Sequence, residues 1–182
     1  MTIKRPTESC SQTTEDFFSE RQHFKQVWLW ILLIGINGLF IYGLINQVFL
    51  GQTFGSKVMS NKEMVFVTIG IFLLTILLVL LRLDTAIKQD GIYFRFLPFQ
   101  WKYKKISWDR ISKAFVRQYN PVREYGGWGI RIGLFGKGQA FNVSGNTGLQ
   151  LVYDDRKRLL LGTQRPKEIE RVLKQLGRLT EE

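Results

Sequence analysis

At 182 residues, with 45% apolar and 14% aromatic side chains, the chain has the composition of a folded protein and excludes a disordered one. Its formal charge of +11 is concentrated after residue 81, where 20 lysines and arginines face 10 carboxylates. A region this basic implies an anionic partner, nucleic acid or a lipid surface, while the single Cys10 excludes a disulfide framework and a cysteine-cluster metal site.

Residues 1–26 mix four cations with four anions and read as a polar tail. Two uncharged apolar runs follow, at 27–50 and 64–81, joined by a short loop. At about 1.5 Å per residue they reach roughly 36 and 27 Å, against a hydrocarbon core of about 30 Å, so both are predicted to span a membrane. The first run starts too late and runs too long for a cleaved signal. Arg21 and Lys25 precede the spans, Arg82, Lys88 and Arg95 follow them, and only Lys57 and Lys62 lie between, which places both ends in the cytoplasm of an inner-membrane protein. His23, just before the first span, reads as a snorkelling interfacial residue. Asn37 is the polar residue inside the first span, and counting from both ends sets it level with Gly70, with Thr68 as hydrogen-bond partner. These three residues are expected to pack the helices together rather than to line a transport path.

After Arg82 the pattern alternates in twos. TAIKQ and IYFRF flank Asp90-Gly91, a type I′ hairpin signal, and WKYKKIS, SKAFVRQY, WGIRIG, QAFNV, GLQLVY and RLLLG continue the series between turn residues. Seven or eight antiparallel strands are predicted. The last segment becomes helical, with Ile169, Val172, Leu173 and Leu176 on one face, Pro166 in the first turn and Gly177 at the C-terminal end. Only Arg82, Leu83 and Asp84 separate the second span from the first predicted strand, a reach of roughly 10 Å.

The segments ISWDRI (106–111), NPVREYGGWGIR (120–131) and LVYDDRKRLLLGTQRPKEIERVL (151–173) resemble small bacterial membrane proteins that carry two spans and a bacterial PH-like domain. The resemblance covers roughly residues 27–178. It implies a membrane helical hairpin, 27–81, followed over 82–182 by an α+β PH-like domain: a bent antiparallel sheet of about seven strands closed by one C-terminal helix. It carries no catalytic residues over.

The motifs point away from nucleotide chemistry. Around Gly136-Lys137 both the first glycine and the hydroxyl residue of a Walker loop are missing, and Gly127, Gly129 and Gly133 misspace a dinucleotide fingerprint with no helix after it. These glycines read as turns. Asp154-Asp155 lacks further metal ligands and also reads as a turn, and the sequon at Asn142 has no meaning on a cytoplasmic domain. No cofactor, metal or nucleotide is expected.

The basic residues remain. Arg82, Arg95, Lys102, Lys104 and Lys105 lie among Trp101, Tyr103 and Trp108, a mixture also found in single-strand nucleic-acid grooves. Tethering makes lipid the nearer polyanion, so these five are assigned to anionic headgroups and nucleic acid is disfavoured. The tight turn at residues 89–91 argues against a phosphoinositide pocket. The expected function is a non-enzymatic membrane protein presenting a basic module that binds lipid headgroups or a protein partner. The alternative is an accessory or regulatory subunit of a membrane enzyme or transporter.

Overall fold

The computed structural model of the protein describes residues 16–24, 26–52, 60–133 and 137–181. Cys10, Lys25, Lys57 and Gly136, invoked above, lie outside them. The first described element is a strand, β1 (Asp16–His23), where the sequence reads as a polar tail. Helix α1 (Val27–Leu44) follows and continues through a wider π turn at Ile45–Phe49. Helix α2 (Asn61–Leu80) starts ahead of the uncharged run because Ser60 and Glu63 form a capping box. The Ser60 hydroxyl accepts from the Glu63 amide at 3.3 Å, and the Glu63 carboxylate accepts from the Ser60 amide at 2.8 Å.

Both helical segments, Val27–Phe49 and Asn61–Leu80, are long and apolar enough to cross a membrane. The chain leaves their side chains uncovered: Ile34 is 71% and Phe66 74% exposed, where the core helix of a soluble domain would be buried. Between the helices the Asn37 amide donates to Thr75 Oγ1 at 2.8 Å and to the Leu33 carbonyl at 2.7 Å. The expected pairing with Thr68 and Gly70 does not form. Thr68 donates to Met64 in its own helix at 2.8 Å, and a Cβ on Gly70 would meet nothing within 4 Å. Counting from the flanking cations set the two helices level, and the observed hydrogen bond places Asn37 beside Thr75, seven residues beyond Thr68.

Those strands are paired. β2 (Arg82–Lys88) begins one residue after α2 and lies antiparallel to β1, with His23 opposite Arg82 and Gln22 opposite Leu83. β3 (Gly91–Leu97) and β4 (Lys104–Ser107) complete a four-stranded antiparallel sheet in the order β1-β2-β3-β4. The hairpin at 89–90 forms, but not as type I′, since Asp90 does not have a positive φ. Gly91 does, at 152°, and a Cβ there would lie 2.3 Å from the Ile106 carbonyl oxygen of β4.

A 3₁₀ turn at Trp108–Arg110 leads into the second sheet, built from β5 (Ile111–Gln118), β6 (Gly129–Ile132), β7 (Gln139–Asn142), β8 (Thr147–Tyr153) and β9 (Arg158–Gly162). Its order is β5-β8-β9-β7-β6, and β7 runs parallel to β9. The sheet-rich region is therefore two sheets, not one antiparallel sheet. β9 inserts between β8 and β7, separating strands that are neighbours in sequence. A one-turn helix, α3 (Pro121–Tyr125), replaces the expected Asn-Pro turn, because Asn120 Oδ1 caps the Arg123 amide at 3.0 Å and Pro121 fits the first position.

The core lies between the sheets. Leu83, Ile87, Ile92, Phe94 and Phe96 meet Phe141, Leu149, Leu151 and Leu161, and the Phe94 and Phe141 rings tilt together at 5.0 Å. Helix α4 (Pro166–Gln175) seals it with Ile169, Val172 and Leu173, the predicted apolar face. It ends where Arg178 N–H reaches the Leu173 carbonyl at 2.8 Å and Gly177 N–H the Lys174 carbonyl at 3.1 Å, a Schellman pair.

Two outcomes are expected. Leu173 is fully buried, so Leu173→Asp forfeits about 2 to 3 kcal/mol of burial and places a carboxylate in the core; the full-length protein in detergent should lose its cooperative melt and its near-UV dichroism. A wild-type-like melt would show that α4 is not core. In a double-mutant cycle, Asn37→Ala and Thr75→Ala should couple by about 0.6 to 1.5 kcal/mol, and Asn37→Ala with Thr68→Ala should not couple at all.

Candidate membrane-interface site

The ends of β1, β2 and β3 form one row against the helices. Arg82 pairs with His23 on one side and Leu97 on the other, and Leu81 alone joins α2 to β2. After Leu97 the chain stays at that row. Gln100 N–H turns back to the Phe96 carbonyl at 2.7 Å, and the loop 98–103 presents Phe99 at 62%, Trp101 at 75% and Tyr103 at 45% exposure, with Lys102 between the last two. From the second sheet, Trp128, Ile130 and Arg131 reach the same end, lining a shallow pocket of about 280 Å³ with Leu81, Phe96 and Phe99.

The five expected headgroup cations separate into different environments. Arg82 Nε lies 3.0 Å and Arg95 Nε 2.8 Å from the carboxylate of Asp84, a buried residue of β2 directly opposite Arg95. Arg95 also stacks its guanidinium over Tyr103, 4.4 Å from the ring centroid. Both arginines are thus bound to the sheet. Lys105 lies 2.6 Å from Asp90 and over the Tyr93 ring, and the Asp90 hydrogen bond raises its pKa. Lys102 and Lys104 are exposed and form no ion pair among the described residues. Lys102 sits in the aromatic loop, whereas Lys104 is inside β4, on the same side of the strand as buried Ile106. Although Lys104 and Lys105 stand on opposite faces of β4, WKYKK is therefore not one strand. Its first three residues belong to the loop.

The remaining motif residues have local duties. His23 ends β1. Asn142 is fully buried, donating to the Tyr119 hydroxyl and accepting from the Gly129 amide, both at 2.9 Å. Gly138 allows the β7 backbone to approach Arg158, whose carbonyl oxygen would lie 2.0 Å from a Cβ. Lys137 lies 3.2 Å from Glu124.

Glu124 organises a second charged cluster. Its carboxylate is 3.0 Å from Arg117 Nη2 and accepts from the Asn120 amide at 2.9 Å, and Arg117 Nε donates to Gln150 at 3.1 Å. Burial alone would raise its pKa, but the hydrogen bonds from Arg117, the Asn120 amide and Lys137 outweigh it and bring the value from 4.5 to about 2.

Reasoning from sequence missed β1, Phe99 and the offset of the two helices. A Pro-Phe-Gln-Trp stretch between strands was the available signal for the loop, since apolar residues seldom gather in a turn without a surface to meet. No protein-family model matches this chain, and comparison with curated proteins returns no match.

Because the pKa of Glu124 is lowered in the folded state, its stabilisation is present above pH 4.5 and is lost as pH falls towards 2. Glu124→Gln should cost about 1 to 3 kcal/mol at pH 7. The difference in Tm from wild type should close as pH falls through that window. A gap that stays constant from pH 7 to pH 2 would separate the cluster from stability.

Proposed function

We propose that this protein is a non-enzymatic, two-span protein of the inner membrane, with both ends in the cytoplasm and a PH-like module held against the headgroup layer, where it binds anionic lipid or a protein partner. The pairing of β1 with β2 carries the reading. With one strand directly before the first span and one directly after the second, both ends of the helical hairpin belong to one sheet and therefore to one side of a bilayer. The cation asymmetry around the spans makes that side the cytoplasm.

The same pairing removes slack. A single residue, Leu81, joins α2 to β2, so the module rests on the headgroups with the loop 98–103 facing them. Phe99, Trp101 and Tyr103 suit that depth, where a ring is buried while a polar group or the nearby Lys102 stays wet. Lys102 is then the principal headgroup cation of the five. Two packed sheets and one closing helix support the PH-like reading, with β1 as a strand contributed from ahead of the spans.

Single cysteines in a background lacking Cys10 test the arrangement. In spheroplasts an impermeant maleimide should label Ser56→Cys at once and Asp109→Cys only after permeabilisation. In proteoliposomes a spin label at Trp101→Cys should report headgroup depth, and one at Asp109→Cys bulk water. Labelling of residue 109 from outside would reverse the topology. Equal water exposure at 101 and 109 would end the headgroup reading, and a stoichiometric membrane enzyme or transporter on mild-detergent purification would favour the accessory-subunit alternative.

A further inference from the structure

Away from the membrane row, an open cleft of about 730 Å³ lies between β4 and the turns of the second sheet, within the size range of small-molecule sites. Its floor is apolar, with Phe94, Ile106 and Leu159 buried. Its rim is cationic: Lys104, Lys105, Arg110, Arg156, Lys157 and Arg158 stand around one carboxylate, Asp155. Lys105 is engaged by Asp90, and Lys157 by Asp155 at 2.8 Å. Lys104, Arg110, Arg156 and Arg158 form no ion pair among the described residues. Asp155 offsets part of the charge at Arg110, which also lies 5.9 Å from the Tyr153 ring centroid, and the remaining excess of like charge around one cavity favours an anion that joins it.

The backbone supplies an independent observation. Arg156 is the non-glycine residue with positive φ among those described, at 61°. It sits in the β8–β9 turn, where its amide donates to the Tyr153 carbonyl at 2.9 Å and Tyr153 N–H donates to the Lys157 carbonyl at 2.9 Å. Glycine is the default at the left-handed position of such a turn, and glycine holds the other positive-φ positions described in this chain. An arginine here carries backbone strain that glycine would not, and it brings a guanidinium to the rim of the cleft.

The cleft is distinct from the headgroup face. Lys104 lies opposite Phe94, three positions along β3 from Leu97, which is about 10 Å from the membrane row. Arg110 is farther, because Trp108 Nε1 donates to the Lys88 carbonyl at the other end of β2.

We propose that this cleft binds a phosphate-rich anion, a molecule presenting two or more phosphate groups, either as a soluble compound or as a lipid headgroup projecting from the bilayer. Arg110, Arg156 and Arg158 supply planar forks for phosphate oxygens, and Lys104 adds a point charge. The apolar floor excludes water beneath them. Recognition is by side chains and does not use the glycine-rich stretch. The inference goes beyond the membrane-contact reading and does not depend on it.

The test uses the full-length protein in nanodiscs. In phosphatidylcholine discs, calorimetric titration with tripolyphosphate should show saturable binding that weakens with salt. In discs carrying a phosphatidylinositol bisphosphate, the melting temperature should rise relative to discs carrying phosphatidylglycerol. Binding in the first arm assigns a soluble source, and a rise in the second alone assigns a lipid source. Arg158→Glu should weaken whichever binding is found by about fivefold or more, and Lys174→Glu on α4 should leave it unchanged. Arg156→Gly is the discriminating variant: relief of the positive φ should hold or raise the melting temperature while affinity falls by about fivefold. No binding in either arm, affinity that survives both cleft substitutions, or equal loss from Lys174→Glu overturns the proposal.

Discussion

The antiparallel pairing of β1 with β2 is the constraint on which the rest of the molecule depends. These strands flank the apolar helices, so the chain leaves one sheet, forms a helical hairpin and returns to the neighbouring strand of the same sheet. The pairing is reinforced by polar contacts across the whole chain. Gln22 donates to the Gly162 carbonyl at 2.7 Å, and buried Glu20 accepts from the Thr163 hydroxyl at 2.7 Å and the Gln164 amide at 2.9 Å. Arg165 adds a hydrogen bond to the Ser19 carbonyl at 3.2 Å and rests over the Phe18 ring. Buried Thr163 would lose its carboxylate partner without β1, which makes the strand an integral part of the domain.

Charge follows the same logic of commitment. The region after residue 81 is strongly basic in composition, yet its cations do not form one undifferentiated face. Asp84 holds Arg82 and Arg95 at the sheet, Asp90 holds Lys105, and Glu124 holds Arg117 and Lys137. What remains near the helices is aromatic surface with Lys102 and Arg131, a composition suited to the interfacial layer. Four further cations without an ion pair among the described residues, Lys104, Arg110, Arg156 and Arg158, stand around the cleft beside β4, some distance up the same sheet. Net charge counted along the chain does not distinguish these two surfaces. The placement of Asp84, Asp90 and Glu124 divides them.

Much of the architecture was legible in short-range pattern. Two uninterrupted apolar runs gave the helices, the spacing of Ile169, Val172 and Leu173 gave α4 and its buried face, and period-two alternation gave most strands after Arg82. β1 was not legible because its inward residues are Phe18, Glu20 and Gln22, so the face that enters the interior is mostly polar and mimics a solvated tail. The partner of Asn37 was missed for a related reason. A hydrogen bond between helices depends on their relative depth, which no pattern within either apolar run records.

The sequence by itself thus determined the kind of each element, since apolar periodicity, caps and turn residues act over a few positions. The tertiary structure alone decided which elements are neighbours. The order β5-β8-β9-β7-β6 and a cationic cleft built partly from a turn with no apolar pattern are properties of register between distant segments. The physical reason is reach: the bond from Gln22 to Gly162 spans 140 residues, and no local rule on either segment records its partner.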